Sequence, residues 1–218
     1  CSPVHQSTER MIPLMLDLSG RRVLIFGGGD VGARKAAYFE HEAEVTVISR
    51  TFSPDLDDLA IRRQEADLSS LSDEDLRGLL QGAFLAVAAT SDPELNDRIG
   101  RLCSETGVLF NNAAGKPGDL IIPSVIRGRH HLVAISTHGK SPAIARYLRM
   151  RLESEYANLD LMIELQDEVR SMLKETEPVQ AKRSRILWNI LEDNEIWEML
   201  ASDYDQARTM AIARYLHA

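Results

Sequence analysis

The apolar run Arg22-Val23-Leu24-Ile25-Phe26 passes straight into Gly27-Gly28-Gly29, and Asp30-Val31-Gly32-Ala33-Arg34-Lys35 leads on into a helical pattern. Few folds accommodate that junction. Gly27, Gly29 and Gly32 match G-x-G-x-x-G, the turn between a buried strand and the next helix of a dinucleotide-binding βαβ unit. The first glycine permits the tight turn and the second lets the backbone approach a pyrophosphate. The third lets helix and strand pack closely, while the helix points its first N–H groups at the phosphates. The six-residue pattern is weak alone. It gains force here because Ala36-Ala37-Tyr38-Phe39 continues the helix and Glu44-Val45-Thr46-Val47-Ile48 supplies the second strand. Gly27, Gly28, Gly29, Asp30, Val31 and Gly32 are therefore the candidate cofactor-binding loop.

The second strand ends at Ser49-Arg50, with no acid there to take a ribose 2′-hydroxyl. Ser49 can hydrogen-bond a ribose and Arg50 can face a 2′-phosphate, so this position does not choose between NAD and NADP. Phe84-Leu85-Ala86-Val87-Ala88-Ala89-Thr90 reads as a parallel strand buried on both faces. Ligands of such sheets lie beyond the carboxyl ends of the strands, which places Thr90 near the cofactor unless it is only a cap.

Between and around these come weaker signals. Met11 to Leu18 is an apolar lead-in, and Pro13 favours an extended or edge segment. Ser53 to Leu59 reads as a short helix, Ile61 to Gln64 as a weak strand, and a helix opens at Ser72. Leu95 to Thr106 is helical and Val108 to Asn112 is a further strand. After the loop Ala113 to Asp119, two strands are expected, Leu120–Ile126 and His131–Thr137, joined by a turn at Arg127-Gly128-Arg129-His130. From Ser141-Pro142 onward the pattern is helical, with an apolar face from Ile144, Leu148, Met150 and Leu152. Further helices are expected over Leu159–Lys174, Val179–Ile190 and Ile196–Leu216. Trp188, Trp197, Tyr204 and Tyr215 are expected in their core.

Composition removes several classes of function. A net charge of −8 over 218 residues argues against a general nucleic-acid binder, though a local basic patch can still hold an anionic substrate. Cys1 and Cys103 are the only cysteines and form neither a disulfide framework nor a zinc spacing. No apolar run approaches the roughly 20 residues of a membrane span. With no charged-then-apolar leader, a cytoplasmic protein with no membrane partner is expected, and residues 1–10 are expected to be a loose terminus.

Together, Gly27 to Lys35, Ala88-Ala89-Thr90 with Asn96, Asn111-Asn112, Ile122-Pro123-Ser124 and Ile135-Ser136-Thr137-His138-Gly139-Lys140-Ser141-Pro142-Ala143 resemble the siroheme synthase family. Its members are precorrin-2 dehydrogenases, some also sirohydrochlorin ferrochelatases. The resemblance covers roughly residues 11–152. It implies an α/β chain with a Rossmann domain over 11–112, a strand-rich dimerisation and tetrapyrrole-contact segment over 113–150, and a helical domain over 151–218. It also implies NAD as hydride acceptor, precorrin-2 as substrate, sirohydrochlorin as product, ferrous iron as a second substrate where metal is inserted, and a homodimer.

The family's Asn-x-x-Asp pattern, whose carboxylate is proposed to act as base, meets Asn111-Asn112-Ala113-Ala114 here. A methyl group accepts no proton. Asp119, five residues on, is the nearest acid and a candidate substitute across the Gly115–Gly118 loop. The intact surrounding motif fits a replaced or naturally impaired copy better than a relocated acid. In that case turnover would be slow and Ala114→Asp would restore it.

Tetrapyrrole carboxylates need cations, and Lys116, Arg127, Arg129, His130, His131, His138, Lys140, Arg146 and Arg149 cluster within 116–149. Asn111, Ser124, Thr137, His138, Lys140 and Arg146 are the candidate substrate contacts. The histidines lack neighbouring cysteines or clustered acids, so no resident metal site is expected. The alternative reading is an NAD-binding regulatory or redox-sensing module without tetrapyrrole chemistry.

Overall fold

Parallel strands buried on both faces need near-continuous apolar sequence, and this chain supplies two such runs. They form β1 (Arg22–Phe26) and β4 (Leu85–Ala88), with Val23–Phe26 and all of β4 buried. The computed structural model describes residues 11–115 and 118–216, so the expectations for residues 1–10, Cys1 among them, and for Lys116 lie outside the described residues. Around β1 and β4 lie α1 (Asp30–Phe39), β2 (Glu44–Ser49), β3 (Arg62–Glu65), α2 (Asp73–Leu80), α3 (Pro93–Thr106) and β5 (Leu109–Asn112). All five strands are parallel, in the order β3-β2-β1-β4-β5.

Alternation along β1 sends its side chains into two layers. Leu24 and Phe26 pack with Leu76 and Leu80 of α2 and Ile99 and Leu102 of α3. Val23 and Ile25 pack with Ala33, Ala36 and Phe39 of α1 on the opposite face. The order of strands reverses direction between β1 and β4. That is the switch point at which open α/β sheets leave a crevice for ligand.

The chain divides into two compact units, residues 1–122 and 123–218. In the second, β6 (Ser124–Arg127) and β7 (Leu132–Ile135) form an antiparallel hairpin. It is followed by α4 (Pro142–Glu155), α5 (Leu159–Thr176), α6 (Gln180–Leu191), α7 (Asn194–Leu200) and α8 (Tyr204–Tyr215). The helical core is built by Met162, Leu165, Val169 and Leu173 of α5 with Ile190, Ile196, Leu200, Ala207 and Ala211. No helix among the described residues is long and apolar enough to cross a membrane.

Several local expectations need correction. Met11 to Leu18 is neither helix nor strand, as an extended lead-in allows, while Ile12, Leu14, Met15 and Leu16 are exposed. Only Pro54–Leu56 of the Ser53–Leu59 segment is helical, as a single 3-10 turn. The first hairpin strand begins at Ser124 rather than Leu120, after a proline that has no N–H to give a ladder. The last expected helix breaks at Ala201-Ser202-Asp203, where the Asp203 carboxylate accepts the N–H of Gln206 and caps α8. Trp188 is 60% exposed rather than buried. On α4, Ile144, Leu148 and Met150 are exposed as well.

Candidate active site

Each glycine of the β1–α1 junction meets a different neighbour. Gly27 adopts φ +114°, and a Cβ there would lie 2.5 Å from the Ala89 carbonyl oxygen. A Cβ on Gly32 would sit 1.9 Å from the Gly27 oxygen, and one on Gly28 2.4 Å from the Thr51 oxygen. These three are glycine because the protein packs there. Gly29 is different. It caps α1 with ordinary extended backbone (φ −79°, ψ −170°), and a Cβ there would have no heavy atom within 4 Å. The protein leaves open the one glycine that faces a pyrophosphate in this fingerprint, so the loop fits a dinucleotide. Asp30 and Val31 begin α1 beside it, both exposed, and Ser53 donates a 3.4 Å hydrogen bond to Asp30.

At the end of β2, Ser49 is half-buried, while Arg50 lies 3.6 Å from Asp67 in an exposed pair worth little energetically. At the end of β4, the Thr90 hydroxyl donates to Asn96 Oδ1 at 2.7 Å and accepts the Asp92 N–H at 3.2 Å. Asn96, 1% exposed, returns its Nδ2 to the Thr90 carbonyl. The Thr90 side chain thus holds the post-β4 turn, and its main chain is what lies against Gly27.

Beyond the carboxyl ends of β4 and β5, the first turns of α3 and the loop after β5 enclose a cavity of about 310 Å³. Pro93, Asn96, Asp97, Asn112, Ala114 and Gly115 line it. Ala114, where the resemblance leads one to expect an acid, therefore does sit in a cavity on the ligand side of the sheet. Its N–H is held by Asn112 Oδ1 at 3.0 Å.

Asp119 lies elsewhere. Its carboxylate accepts the Phe110 N–H at 3.0 Å and its own N–H bonds the Phe110 oxygen, extending the outer edge of β5. It is not among the residues that line the cavity. Asn111 is buried, and its Nδ2 donates to the Leu120 oxygen at 2.9 Å. Cys103 is buried too, and burial pushes its thiol up to about 12, so it stays protonated.

In the second unit, half-buried Ser124 opens β6 and exposed Arg146 lies on α4. Thr137, His138, Gly139 and Lys140 form the loop before α4. Thr137 Oγ1 accepts the Ser141 N–H at 3.1 Å, and His138 takes a left-handed conformation (φ 53°) that non-glycine residues rarely adopt. His138 and Lys140 are exposed.

Several of the clustered cations are engaged with acids: Arg149 with Glu153 at 3.8 Å, and a group of three at the hairpin turn. The Asp160 carboxylate accepts the backbone N–H groups of Arg129 and His130 and meets His131 Nδ1, each at 2.9 Å. Those backbone bonds hold the Asp160 carboxyl down to about 2. Glu164 pairs with Arg129 and His130, also at 2.9 Å. These groups clasp the hairpin turn to α5. Their acidic partners lie about thirty residues on in the sequence, so the charges of the turn look unpaired until the chain is folded.

Asp97 was not singled out in the sequence. Its one signal was its place directly after Asn96 on the helix that follows β4.

Comparison with known proteins agrees with this geometry. A family described as NAD(P)-binding matches residues 14–124, and one described as sirohaem biosynthesis protein, central, matches residues 133–155. The precorrin-2 dehydrogenase of Methanosarcina barkeri is 42% identical over 94% of this chain and 94% of its own length. The siroheme synthase of Azotobacter vinelandii is 33% identical over 88% of this chain, which spans 41% of that longer protein. The solved structure of SirC, a precorrin-2 dehydrogenase, shares the fold with a TM-score of 0.68 at 24% identity, over 95% of this chain and all of the other.

Proposed function

The chain belongs to the family of precorrin-2 dehydrogenases and siroheme synthases, and from that membership we propose that it oxidises precorrin-2 to sirohydrochlorin with NAD, a step of siroheme biosynthesis. The observation that carries the reading is the open glycine at 29 in a loop whose other glycines are closed by packing, one strand away from a cavity beside β5.

Gly27, Gly28, Gly29 and Gly32, with the first turn of α1, would hold the pyrophosphate, and Ser49 and Arg50 the adenosine ribose. When bound, NAD supplies a two-electron acceptor at its nicotinamide ring. The chain's own task is to place the macrocycle edge that loses hydride and to exclude water around it. Ser124, Thr137, His138, Lys140 and Arg146 are the contacts we propose for the substrate's carboxylates, with Arg146 offering the bidentate geometry a carboxylate favours.

The active form in this reading is a cytoplasmic homodimer. Its support is the exposed apolar set Leu132, Ile144, Tyr147 and Leu148, of which the last three share one face of α4 at i, i+3, i+4 spacing. Iron insertion would be a second activity, with Fe²⁺ as substrate. Absorbance titration with sirohydrochlorin in the presence of NAD tests the function, and saturable binding is expected. A chain that binds NAD and no tetrapyrrole would instead be a nicotinamide-responsive module.

A further inference from the structure

Dehydrogenation removes a proton as well as a hydride, so a group beside the substrate must take that proton. Alanine at 114 cannot, and Asp119 has its carboxylate on the Phe110 N–H at the outer edge of β5. The cavity itself offers another group. Of its six lining residues among those described, Asp97 alone titrates, and the others are two asparagines, a proline, an alanine and a glycine. Asp97 stands on the second turn of α3, adjacent in sequence to Asn96, whose side chain clamps the turn after β4. Its backbone is therefore fixed relative to the strand ends. Asp97 is exposed and lines the same cavity as Ala114.

We infer that Asp97 is the proton acceptor of this chain's dehydrogenation, an inference that rests on the proposed precorrin-2 activity. In the step, a C–H bond of the macrocycle breaks and its hydrogen leaves with the electron pair to the nicotinamide. A neighbouring N–H or C–H gives its proton to an Asp97 oxygen, and the electrons left behind form the new ring double bond. The substrate is oxidised by two electrons, NAD⁺ becomes NADH, and Asp97 later returns its proton to solvent. In this reading α3 supplies, from another part of the same cavity lining, the carboxylate that the loop after β5 lacks at Ala114.

The test uses the full chain, precorrin-2 and NAD. Asp97→Asn should lower kcat by about 10²–10⁴-fold, the usual contribution of general base catalysis, with the Kd values for NAD and sirohydrochlorin near native. Adding Ala114→Asp to Asp97→Asn should recover at least about tenfold of that loss, because it returns a carboxylate to the same cavity, whereas adding Ala114→Asn should recover none. Native turnover by Asp97→Asn would overturn the inference while leaving the proposed function standing. So would a loss seen equally in ligand binding, which would make Asp97 a binding group. A native chain that binds NAD and fails to oxidise precorrin-2 would overturn the functional reading itself.

Discussion

Gly29→Val separates ligand from fold more cleanly than any other change in the nucleotide loop. The residue is extended, at φ −79° and ψ −170°, and an added Cβ meets no heavy atom of the protein within 4 Å. The structural cost is the loss of a good N-cap, about 1 kcal/mol. On the ligand side, the isopropyl group fills the approach to the helix N-terminus. Hydrogen bonds to a charged group are worth about 1.5–3 kcal/mol each, so the loss of two from a pyrophosphate costs about 3–6 kcal/mol. That is a rise in Kd on the order of 10²–10⁴-fold. Calorimetric or fluorescence titration with NADH reads the affinity, and circular dichroism melting reads the fold. Gly32→Ala is the contrasting variant, since its Cβ would lie 1.9 Å from the Gly27 oxygen and should cost stability first. Unchanged NADH affinity in a folded Gly29→Val protein would refute the assignment of this loop.

Three further outcomes are expected. Asp119→Ala removes one hydrogen-bond acceptor from the β5 edge and should cost about 1 kcal/mol of stability in denaturant titration, with turnover near native. Leu148→Asp puts a charge into the exposed apolar stripe of α4, and light scattering should show a dimer becoming a monomer; a native chain that is already monomeric would remove the dimer from the account. The Asp160 carboxyl titrates near 2 in the folded protein, below the usual carboxylate value of about 3.9, so its clasp contributes fully above about pH 4 and is lost as pH falls toward 2. Limited proteolysis should find the β6–β7 hairpin turn cut earlier in acid, and Asp160→Asn should weaken that dependence.

Much of the first unit was legible because its signals are local. Val23 to Phe26 and Leu85 to Ala88 are apolar without a break, and their shortness and the turn residues after each mark them as buried strands. Gly32 was legible for the same reason, since its close neighbour is the Gly27 oxygen five residues back, whereas the Ala89 oxygen that presses on Gly27 comes from the distant end of β4. What escaped reading depends on distant partners. The periodicity of α4 marks an apolar face without saying what covers it, and Ile144 and Leu148 prove exposed in the single chain. Trp188 looked like core from its neighbours Leu187 and Ile190, but helical phase turns it outward. Arg129, His130 and His131 looked like a free anion site until Asp160 and Glu164 were placed beside them. Asp97 was hidden because its cavity exists only where α3 meets a loop more than fifteen residues further along. The break at Ser202-Asp203, by contrast, has a local signal, as a serine–aspartate pair is an ordinary helix start.

The central claim is the reaction, and its stoichiometry tests it most directly. The purified chain, incubated without oxygen with precorrin-2 and limiting NAD⁺, should form sirohydrochlorin and NADH in equal amounts and stop when the NAD⁺ is consumed. Sirohydrochlorin formed without NADH, or no conversion by a protein that binds both ligands, would contradict the account.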